Sequence, residues 1–512
     1  MSRFYLTTAI DYANGEPHLG HAYERLGADA IARYRRLRGD DVTFLVGMDE
    51  HGQKVAQAAE SRGLTPQEHT DRIADAFRTA WARLDISYDR FMRTTEAGHR
   101  AGVRALVERI YRTNPDDLYE KEYQGLYCVG CELFKREAEI ANGRCIIHPA
   151  LTLERKTERN WFFRLSRYSD FLRRLNTRPG FHEPESRRNE MLALIDSGLD
   201  DISVTRARLS WGIPWPRPLS TGETQITWVW FDALPNYLTA TGFPGAGFEQ
   251  RWPAQLHVVG KDINRLHTII WPAMLESAGL PLPERVWVHG FALYRGEKLS
   301  KSSGTAFTLE EAIDRHGADA LRYFLLREIP WDADGSYTWE RFDERYNADL
   351  ADAFGNLVSR VLAMLERYRQ GAVPPAPETE LDRSGREATE RYVQAMDALL
   401  LHRGAAAAWD LVTEANGYVD RRAPWTQAKQ QDERGLDETL GALARALVRL
   451  AVLTSPFLPV AASSLWSALG LGPALPPERA WHHLAEPGVA GARTSRLAPL
   501  FPKPEKTGSL AP

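Results

Sequence analysis

The chain has 512 residues, of which 43% are hydrophobic and 26% are charged, so it is too long for one ordinary core and too apolar for a disordered protein. Its 64 Lys and Arg residues against 68 Asp and Glu residues give a formal net charge of −4, which excludes a basic field over the whole surface. Any nucleic-acid contact must therefore be local. The 3 cysteines cluster between positions 128 and 145, which excludes a secreted disulfide framework and favours a reducing, cytoplasmic location.

Strand and helix patterns alternate in the first part of the chain. Residues 3–10 form a short apolar segment rich in β-formers, and a turn and an amphipathic helix follow it. Residues 42–47 are a nearly continuous apolar run, as expected of a strand that helices cover on both faces. The same pattern returns at residues 256–259 and 286–289. The sequence therefore predicts a Rossmann-type parallel sheet that is interrupted and later resumed.

The interruption is predicted to be an inserted domain, which holds all the cysteines and ends in a proline-rich stretch. After about residue 340 Ala, Leu, Arg and Glu dominate, which predicts a helical bundle. The predicted fold class is thus α/β with an all-α domain after it. The predicted units are a first catalytic part (1–114), the insertion (115–224), a second catalytic part (225–290), a connecting region (291–345), the bundle (346–500) and a tail (501–512).

One stretch of the bundle is long and apolar enough to suggest a membrane span. Residues 450–477 carry no charge. Pro456 and Pro459 interrupt the stretch, and several serines lie around them. We therefore expect a pair of buried helices here, and no membrane contact.

A pair of histidines lies where the first predicted strand gives way to the first helix. His18 and His21 flank Gly20 on the opening turn of that helix. Anions bind at helix N-termini, because the backbone amides there are unpaired and the helix dipole is positive. Two imidazoles spaced by three residues can donate hydrogen bonds to a triphosphate, and Gly20 would let a nucleotide ring approach the backbone. Considered singly, two histidines near a turn are more often bystanders.

A second motif follows the last predicted strand of the α/β unit. Its cations and hydroxyl groups are Lys298, Ser300, Lys301 and Ser302. Such a loop can close on a triphosphate and neutralise charge that develops on a leaving pyrophosphate. By itself the segment is most simply a solvated charged turn. Paired with His18 and His21, in that order along the chain, it favours an ATP site.

Together the two motifs resemble HIGH and KMSKS of the class I aminoacyl-tRNA synthetases, at residues 18–21 and 298–302. The chain is similar more narrowly, along nearly its full length, to the bacterial-type methionyl-tRNA synthetases. The segments that carry this likeness are residues 12–21, 47–52, 228–233, 260–263, 271–274 and 423–425, with His267. Leu299 replaces the Met that is usual in the family, a volume-conserving change.

A metal site is predicted inside the insertion. Cys128 and Cys131 form one short hook, and Cys145 and His148 form a second one after thirteen intervening residues. Four such ligands fit tetrahedral Zn²⁺ best. Because protein would fill every position, the ion is expected to hold a knuckle at residues 125–150 together and not to perform hydrolysis. Unligated core cysteines and another metal are the alternatives. The resemblance agrees with one zinc knuckle.

The resemblance implies a substrate site of known character. Methionine needs an apolar wall and one carboxylate for its ammonium group. The implied wall is Ile10, Tyr12, Trp230, Tyr237, Ile263, His267 and Trp271, and the implied carboxylate is Asp49. Ordinary core packing is the alternative for each aromatic residue. Asp49 follows a buried strand, and open parallel sheets bind ligands at such strand ends. Arg206 is either the partner of Asp49 or a surface arginine. Gly260 and Asp262 would bind the adenosine.

In the bundle the resemblance points to an anticodon site. Asn356 and Arg360 are four residues apart and share a helix face, and Trp425 follows Pro424 at an expected helix boundary. Donor-rich side chains and an exposed indole suit unstacked single-stranded bases. Without the resemblance, the residues could also be a buried tryptophan and a surface Asn/Arg pair with no role in binding. The resemblance implies that they read the CAU anticodon. It also implies that residues 291–345 hold a loop that contacts the tRNA stem.

The expected activity is a two-step ligase reaction. Methionine and ATP, with Mg²⁺ on the phosphates, would give methionyl-adenylate and pyrophosphate, and the methionyl group would then pass to the 3′ end of tRNA(Met). His18, His21, Lys298 and Lys301 would act on the transition state. Two alternatives stay open: another class I synthetase of the subgroup, and a non-catalytic tRNA-binding relative. We expect a monomer that binds no DNA.

Overall fold

The computed structural model describes residues 2–130, 133–135, 137–207, 209–298 and 308–503. The first part alternates strands and helices as expected. Its elements are β1 (Arg3–Thr8), β2 (Asp11–Tyr12), α1 (Leu19–Leu37), β3 (Asp41–Asp49), α2 (Gln53–Ser61), α3 (Pro66–Arg83), β4 (Arg90–Arg93) and α4 (Ala97–Thr113).

A long antiparallel ribbon dominates the segment that follows. Its two strands, β5 and β9, run in register from the pair Leu118 and Phe163 to the pair Tyr127 and Glu154. The elements here are β5 (Leu118–Cys128), β6 (Leu133–Lys135), β7 (Ile140–Ala141), β8 (Arg144–Cys145), β9 (Glu154–Phe163), α5 (Ser169–Thr177), β10 (His182–Glu183), α6 (Glu185–Asp196), β11 (Ile202–Ser203), β12 (Thr205–Arg206) and β13 (Ile226–Thr227), with short 3-10 turns at Pro115–Asp117, Glu137–Glu139 and Leu165–Tyr168.

The chain then returns to alternating strands and helices. The elements are α7 (Val229–Ala233), α8 (Asn236–Thr239), β14 (Leu256–Gly260), a 3-10 turn (Lys261–Ile263), a π-helical turn (Leu266–Ile270), α9 (Trp271–Ser277), β15 (Val286–His289), β16 (Ala292–Tyr294), β17 (Glu297–Lys298), α10 (Leu309–His316), α11 (Ala318–Glu328), β18 (Gly335–Tyr337) and α12 (Trp339–Arg345). A further 3-10 turn spans Phe248–Gln250.

The C-terminal part is mainly helical in the residues that the structure describes. After a π-helical segment (Tyr346–Gly355) come α13 (Asn356–Arg369), α14 (Glu380–Asp397), α15 (Leu401–Arg422), α16 (Pro424–Gln430), α17 (Glu433–Thr454), α18 (Pro459–Ala468), α19 (Pro477–Ala480) and a 3-10 turn (Trp481–Leu484). The uncharged stretch 450–477 is divided between α17, α18 and α19, as its prolines predicted. No helix in the described ranges is both long and apolar enough to cross a bilayer.

The central sheet has seven strands in the order β10, β15, β14, β1, β3 and β2, with β4 beside β3. Every neighbouring pair in it is parallel. Strand β3 is buried on both faces, with Phe44, Leu45 and Val46 fully covered, which is what its continuous apolar sequence predicted. The α/β fold class with a helical C-terminal domain is therefore confirmed. The edge strand β10 comes from within residues 115–224, so that interval also contributes to the sheet.

A buried arginine of the connecting region links helix α1 to the bundle. Arg322 on α11 is fully buried and donates Nη2 to Asp29 Oδ2 on α1 at 2.6 Å. The same guanidinium donates to the carbonyl of Pro456, between α17 and α18, at 2.9 Å. Helix α1, which begins at the predicted ATP motif, is thus fixed from the bundle side as well.

Candidate active site

The predicted site residues gather at the carboxyl edge of the central sheet. Strand β3 ends at Asp49 and β14 ends at Gly260. Helix α1 begins on the same edge, just after β1 and β2, with His18 at its N-cap. In open parallel sheets ligands bind in the crevice beyond the strands' carboxyl ends. The parallel topology therefore brings His18, Asp49 and Gly260 to one edge of the sheet.

His18 and His21 cap helix α1 reciprocally. The Nδ1 atom of His18 accepts hydrogen bonds from the backbone N–H of Gly20 at 3.1 Å and of His21 at 3.4 Å. In return, Nδ1 of His21 accepts from the backbone N–H of His18 at 3.3 Å. A neutral imidazole that accepts at Nδ1 carries its proton on Nε2. In each ring the proton of the neutral form therefore lies on Nε2, the nitrogen that the cap does not use.

This cap changes the role expected for the helix terminus. The amides of Gly20 and His21 are directed at the His18 ring, so the cap itself uses these two backbone donors. A Cβ atom at position 20 would lie 2.9 Å from Cε1 of His18. The glycine is thus required for the cap itself, whereas the sequence suggested only the approach of a nucleotide.

The second ATP motif begins on a hairpin beside α1. Strand β16 contacts α1 and pairs with β17, where the backbone of Lys298 lies opposite Leu293. The side chain of Lys298, together with Ser300, Lys301 and Ser302, lies outside the described residues. The structure therefore places the start of this motif next to the helix that carries the histidines.

The predicted methionine wall is built around Tyr237 and His267. Both are buried, with the Tyr237 hydroxyl 2.6 Å from Nε2 of His267. Nδ1 of His267 lies 3.0 Å from the carbonyl oxygen of Ile263 and donates to it. Burial lowers the pKa of His267 to about 4, so the ring is neutral and its Nε2 accepts the Tyr237 proton. The hydroxyl oxygen of Tyr237 is thereby oriented.

The remaining wall residues differ in exposure. Trp271 is fully buried, and its ring centroid lies 6.2 Å from that of Tyr237, so it supports the wall from behind. The side chains that reach partly into solvent are Ile10, Tyr12, Trp230 and Ile263. Tyr12 pairs with Asp49 across β2 and β3, which puts an aromatic ring beside the predicted ammonium ligand.

Asp49 is held at the end of β3 with a 3% exposed surface. The suggested pairing with Arg206 is not formed. Arg206 is buried and donates Nη1 to the carbonyl oxygens of Ser203 at 3.0 Å and Thr205 at 2.7 Å. Its guanidinium also lies over the Trp228 ring at 5.4 Å. The turn between β11 and β12 supplies local acceptors for Nη1 of Arg206, which explains the difference.

Gly260 and Asp262 occupy the predicted adenosine position. Gly260 ends β14, and Asp262 is exposed in the 3-10 turn that follows. A Cβ atom at position 260 would lie 2.9 Å from Oδ1 of Asp262, so the two residues are in close contact. An exposed carboxylate directly after a strand end can accept hydrogen bonds from ribose hydroxyl groups.

A buried charge network that the sequence did not predict lies beneath the carboxyl edge of the sheet. Arg25 Nη2 lies 2.7 Å from Asp11 Oδ2, and Arg25 also pairs with Glu24. Glu24 Oε2 lies 3.0 Å from Nε2 of His289 at the end of β15. Burial opposes ionisation of Glu24, but Arg25 and His289 outweigh it and lower its pKa. The only signal in the sequence was charged residues inside an otherwise apolar first helix.

Lys54 was also missed. It lies on α2, where its Nζ is 5.7 Å from the Tyr12 ring centroid, and it donates to the carbonyl oxygen of Gly130. The backbone of the first predicted metal hook is thereby tied to helix α2, beside Tyr12.

Three of the four predicted metal ligands come together in the insertion. The ligand atoms of Cys128, Cys145 and His148 all lie within 4.8 Å of one another, and Cys128 Sγ is 3.8 Å from Nδ1 of His148. Tetrahedral zinc ligands are about 3.5–3.8 Å apart, given bonds of about 2.0–2.3 Å. The fourth predicted ligand, Cys131, lies outside the described residues. The thiol and imidazole donors therefore fit a metal ion.

The predicted anticodon residues lie on two helices of the bundle. Asn356 is exposed at the start of α13, one turn before Arg360, whose Nη2 lies 3.0 Å from Asp420 Oδ1. Trp425 is 47% exposed on the first turn of α16. The alternative of a buried tryptophan is therefore wrong.

Two family models match the chain. "tRNA synthetases class I (M)" matches residues 4–148 and 135–362, and "Anticodon binding domain of methionyl tRNA ligase" matches residues 369–492. Curated methionine–tRNA ligases match over nearly the full length. The one from Caldanaerobacter subterraneus subsp. tengcongensis is 41% identical over 99% of this chain and 80% of its own length. The chain belongs to the methionyl-tRNA synthetases.

Other methionyl-tRNA synthetases agree in length and in fold. The Brucella suis enzyme is 41% identical over 98% of both chains. The Mycobacterium tuberculosis methionyl-tRNA synthetase in complex with methionyl-adenylate is 38% identical and superposes with a TM-score of 0.92 over 98% of this chain and 100% of that one. The free state of the tuberculosis synthetase gives a TM-score of 0.84. The narrow resemblance to the methionine family is thus confirmed.

Proposed function

We propose that this chain activates L-methionine with ATP to give methionyl-adenylate and pyrophosphate, and then transfers the methionyl group to the 3′ end of tRNA(Met). Its full-length likeness to a methionyl-tRNA synthetase that holds methionyl-adenylate carries this proposal. The gathering of the nucleotide and methionine motifs at one sheet edge supports it from the geometry.

In the first step a carboxylate oxygen of methionine attacks the α-phosphorus of ATP, which enters as its Mg²⁺ complex. The new oxygen–phosphorus bond forms as the bond to the β-phosphate bridge breaks, and pyrophosphate leaves. Catalysis needs positioning and charge stabilisation and no enzyme nucleophile. The Nε2–H donors of His18 and His21 would bind the phosphates, and Lys298 and Lys301 would neutralise the departing pyrophosphate. Gly20, Ser300 and Ser302 would complete the ATP site.

In the second step a terminal ribose hydroxyl of the tRNA attacks the methionyl carbonyl carbon, and AMP leaves. We assign the methionine ammonium group to Asp49, which is buried at the end of β3, because an ammonium group without a carboxylate in an apolar site would be costly. Tyr237 and His267 would shape the floor of the side-chain pocket, with Ile10, Tyr12, Trp230, Ile263 and Trp271 as its wall. Gly260 and Asp262 would bind the adenosine.

We further propose one structural zinc ion on Cys128, Cys131, Cys145 and His148. The contact of 3.8 Å between Cys128 and His148 supports this assignment, as does the burial of both the Cys128 and Cys145 thiols. When bound, the ion would cross-link the knuckle and supply no catalytic chemistry, because protein ligands would fill its coordination sphere. Thiolate ligands also suit a reducing cytoplasm.

The helical part would read the anticodon through Asn356, Arg360 and Trp425, with residues 291–345 forming the ATP loop and contacting the tRNA stem. Exposed indole and amide groups suit unstacked bases. We propose that the enzyme acts as a monomer, since the predicted ATP, methionine and anticodon residues all come from this one chain.

The deciding experiment is exchange of radiolabelled pyrophosphate into ATP by the purified chain, run with each of the twenty amino acids. Methionine should support exchange, and the other nineteen should support much less. Exchange with a different amino acid would contradict the methionine assignment. Binding of tRNA without any adenylate formation would contradict catalysis and indicate a tRNA-binding relative.

A further inference from the structure

A fully buried carboxylate lies behind the methionine wall with no role in the reaction just described. Asp232 is on α7, two residues after Trp230, and has no exposed surface. Its Oδ2 accepts from Nδ1 of His51 at 2.7 Å, and its Oδ1 accepts from Nε2 of His99 at 2.9 Å. Burial opposes its ionisation, but His51 and His99 outweigh burial and lower the pKa of Asp232 to about 2. The group is therefore a carboxylate that only accepts.

The two histidines connect this carboxylate in different directions. His99, on α4, donates at Nε2 and has the Thr239 hydroxyl 2.8 Å from Nδ1, so it ties Asp232 to the end of α8. His51 belongs to the segment 49–52, which we call the Asp49 loop, between β3 and α2. Because Asp232 can only accept, His51 carries a proton on Nδ1.

The Asp49 loop is also anchored from its other side. The backbone N–H of Glu50 donates to Thr94 Oγ1 at 3.0 Å, and Arg93 Nε donates to Glu50 Oε1 at 2.5 Å. Trp211 donates its indole N–H to the carbonyl oxygen of Glu50 at 2.5 Å. These contacts fix the loop to β4 and to the insertion. The bond from His51 to Asp232 links the loop to the helix that carries Trp230.

We propose that Asp232, acting through His51, is a positioning residue that holds the Asp49 loop against the Trp230 helix and so sets how the ammonium group of methionine is bound. The inference rests on the proposed function. It extends that function, because neither Asp232 nor His51 is among the residues assigned to contact a substrate. A hydrogen bond between charged or ionised partners is strong and directional, so its loss should displace the loop.

The test is Asp232→Asn, assayed by pyrophosphate exchange with methionine and ATP varied separately. The KM for methionine should rise roughly tenfold or more, and the KM for ATP should change by less than about twofold. A matched control is Asp117→Asn, because Asp117 is equally buried and accepts from Ser277 Oγ at 2.6 Å away from the cleft. Both variants should lower thermal stability, but only Asp232→Asn should raise the KM for methionine without raising the KM for ATP.

Two inhibitors sharpen the test. L-Methioninol keeps the ammonium group and lacks the carboxylate, whereas 4-(methylsulfanyl)butanoate keeps the carboxylate and lacks the ammonium group. Asp232→Asn should weaken inhibition by methioninol in parallel with the methionine KM and leave inhibition by the butanoate unchanged. Equal weakening of both inhibitors, or equal changes in the two KM values, would overturn the proposal and indicate a core-filling role.

If Asp232→Asn does not fold, two variants at position 51 test the same proposal. Asn at position 51 places an amide N–H near imidazole Nδ1, whereas Gln places it near Nε2. His51→Asn should therefore retain most of the methionine affinity, and His51→Gln should lose it; the reverse order, or no difference, contradicts the inference. Failure of the unsubstituted chain in methionine-dependent exchange would instead overturn the proposed function.

Discussion

The rings of His18 and His21 stack with their centroids 3.7 Å apart and an interplanar angle of 19°. Each ring also caps the backbone of the other residue, so the pair forms one unit at the mouth of helix α1. Nδ1 of each ring serves the cap, which leaves the proposed phosphate binding to Nε2 of the same two side chains.

Replacing His18 by Asn should separate these two roles. Asn is among the best N-cap residues, so the free energy of unfolding should change by less than about 1 kcal/mol. The Nε2–H donor is lost, however, and the rate of adenylate formation should fall by about a hundredfold or more. Stopped-flow or exchange kinetics together with thermal melts measure both quantities.

The control for that variant is Thr65→Ala on helix α3, where Thr65 and Glu68 form a capping box outside the cleft. It should destabilise the protein by about 1 kcal/mol and leave exchange unchanged. A His18→Asn enzyme that is fully active would show that the histidines only cap the helix.

Lys301→Ala should slow adenylate formation by about a hundredfold or more while methionine affinity stays nearly unchanged. The reason is that the proposed role of Lys301 is to neutralise charge that develops in the transition state and not to contact bound methionine. Single-turnover kinetics measure the rate of adenylate formation, and equilibrium binding measures the affinity for methionine. Unchanged exchange activity would refute the role assigned to this residue.

Residue order along the chain was enough to predict the sheet and the strand end at which Asp49 lies. The continuous apolar run at residues 42–47 became the buried strand β3, and Asp49 lies at its end because a parallel strand delivers its next residue to the ligand edge. The spacing of the cysteines and His148 predicted a cluster, of which three members do lie together. Local pattern determined each of these features.

Contacts between distant segments could not be predicted in the same way. His51 and Asp232 lie inside two of the segments that carry the family likeness, yet nothing in either segment indicates that they bond to each other. Arg206 shows the opposite case, because bonds to the neighbouring Ser203 and Thr205 carbonyls replace the suggested pairing with the distant Asp49. Buried polar partners depend on packing in three dimensions, which a pattern of hydrophobic residues does not encode.

Stability should fall in acid because buried histidines must stay neutral in the folded protein. Burial lowers the pKa of His182 to about 3 and that of His267 to about 4, against an ordinary histidine value of 6.5. Below pH 6.5 the unfolded chain binds protons that the folded chain excludes, so the free energy of unfolding decreases as the pH falls toward 4. Above pH 6.5 these groups contribute no pH dependence. Each contributes a slope of up to about 1.4 kcal/mol per pH unit.

Urea unfolding midpoints between pH 7.5 and pH 4 measure this slope. His182→Asn preserves a donor toward Asn176, which lies 2.8 Å from Nδ1 of His182, and should flatten the slope. Its exchange activity at pH 7.5 should equal that of the unsubstituted chain, since His182 lies on the edge strand β10. A slope that is unchanged in this variant would show that His182 does not cause the acid sensitivity.

Purified protein should contain one zinc ion per chain, and Cys145→Ser should lose it. Cys145 is buried, and its short strand β8 pairs with the two-residue strand β7, so the ligands are the main support of this knuckle. Loss of the ion should expose residues 125–150 to limited proteolysis. Atomic absorption and mass mapping of the cleavage sites measure the two effects, and a full complement of zinc in Cys145→Ser would contradict the assignment.

Trp425→Ala should weaken tRNA binding without affecting methionine activation. Stacking of one base on an aromatic ring contributes about 1–3 kcal/mol, so the KM for tRNA(Met) should rise roughly fivefold to a hundredfold. Trp425→Phe keeps a ring and should recover most of the loss. For a tRNA with a changed anticodon, the unsubstituted chain and Trp425→Ala should have equally high KM values, because the contact that Trp425 makes is with the anticodon. If Trp425→Ala raises the KM by the same factor for both tRNAs, Trp425 contacts another part of the tRNA and the anticodon site lies elsewhere in the bundle.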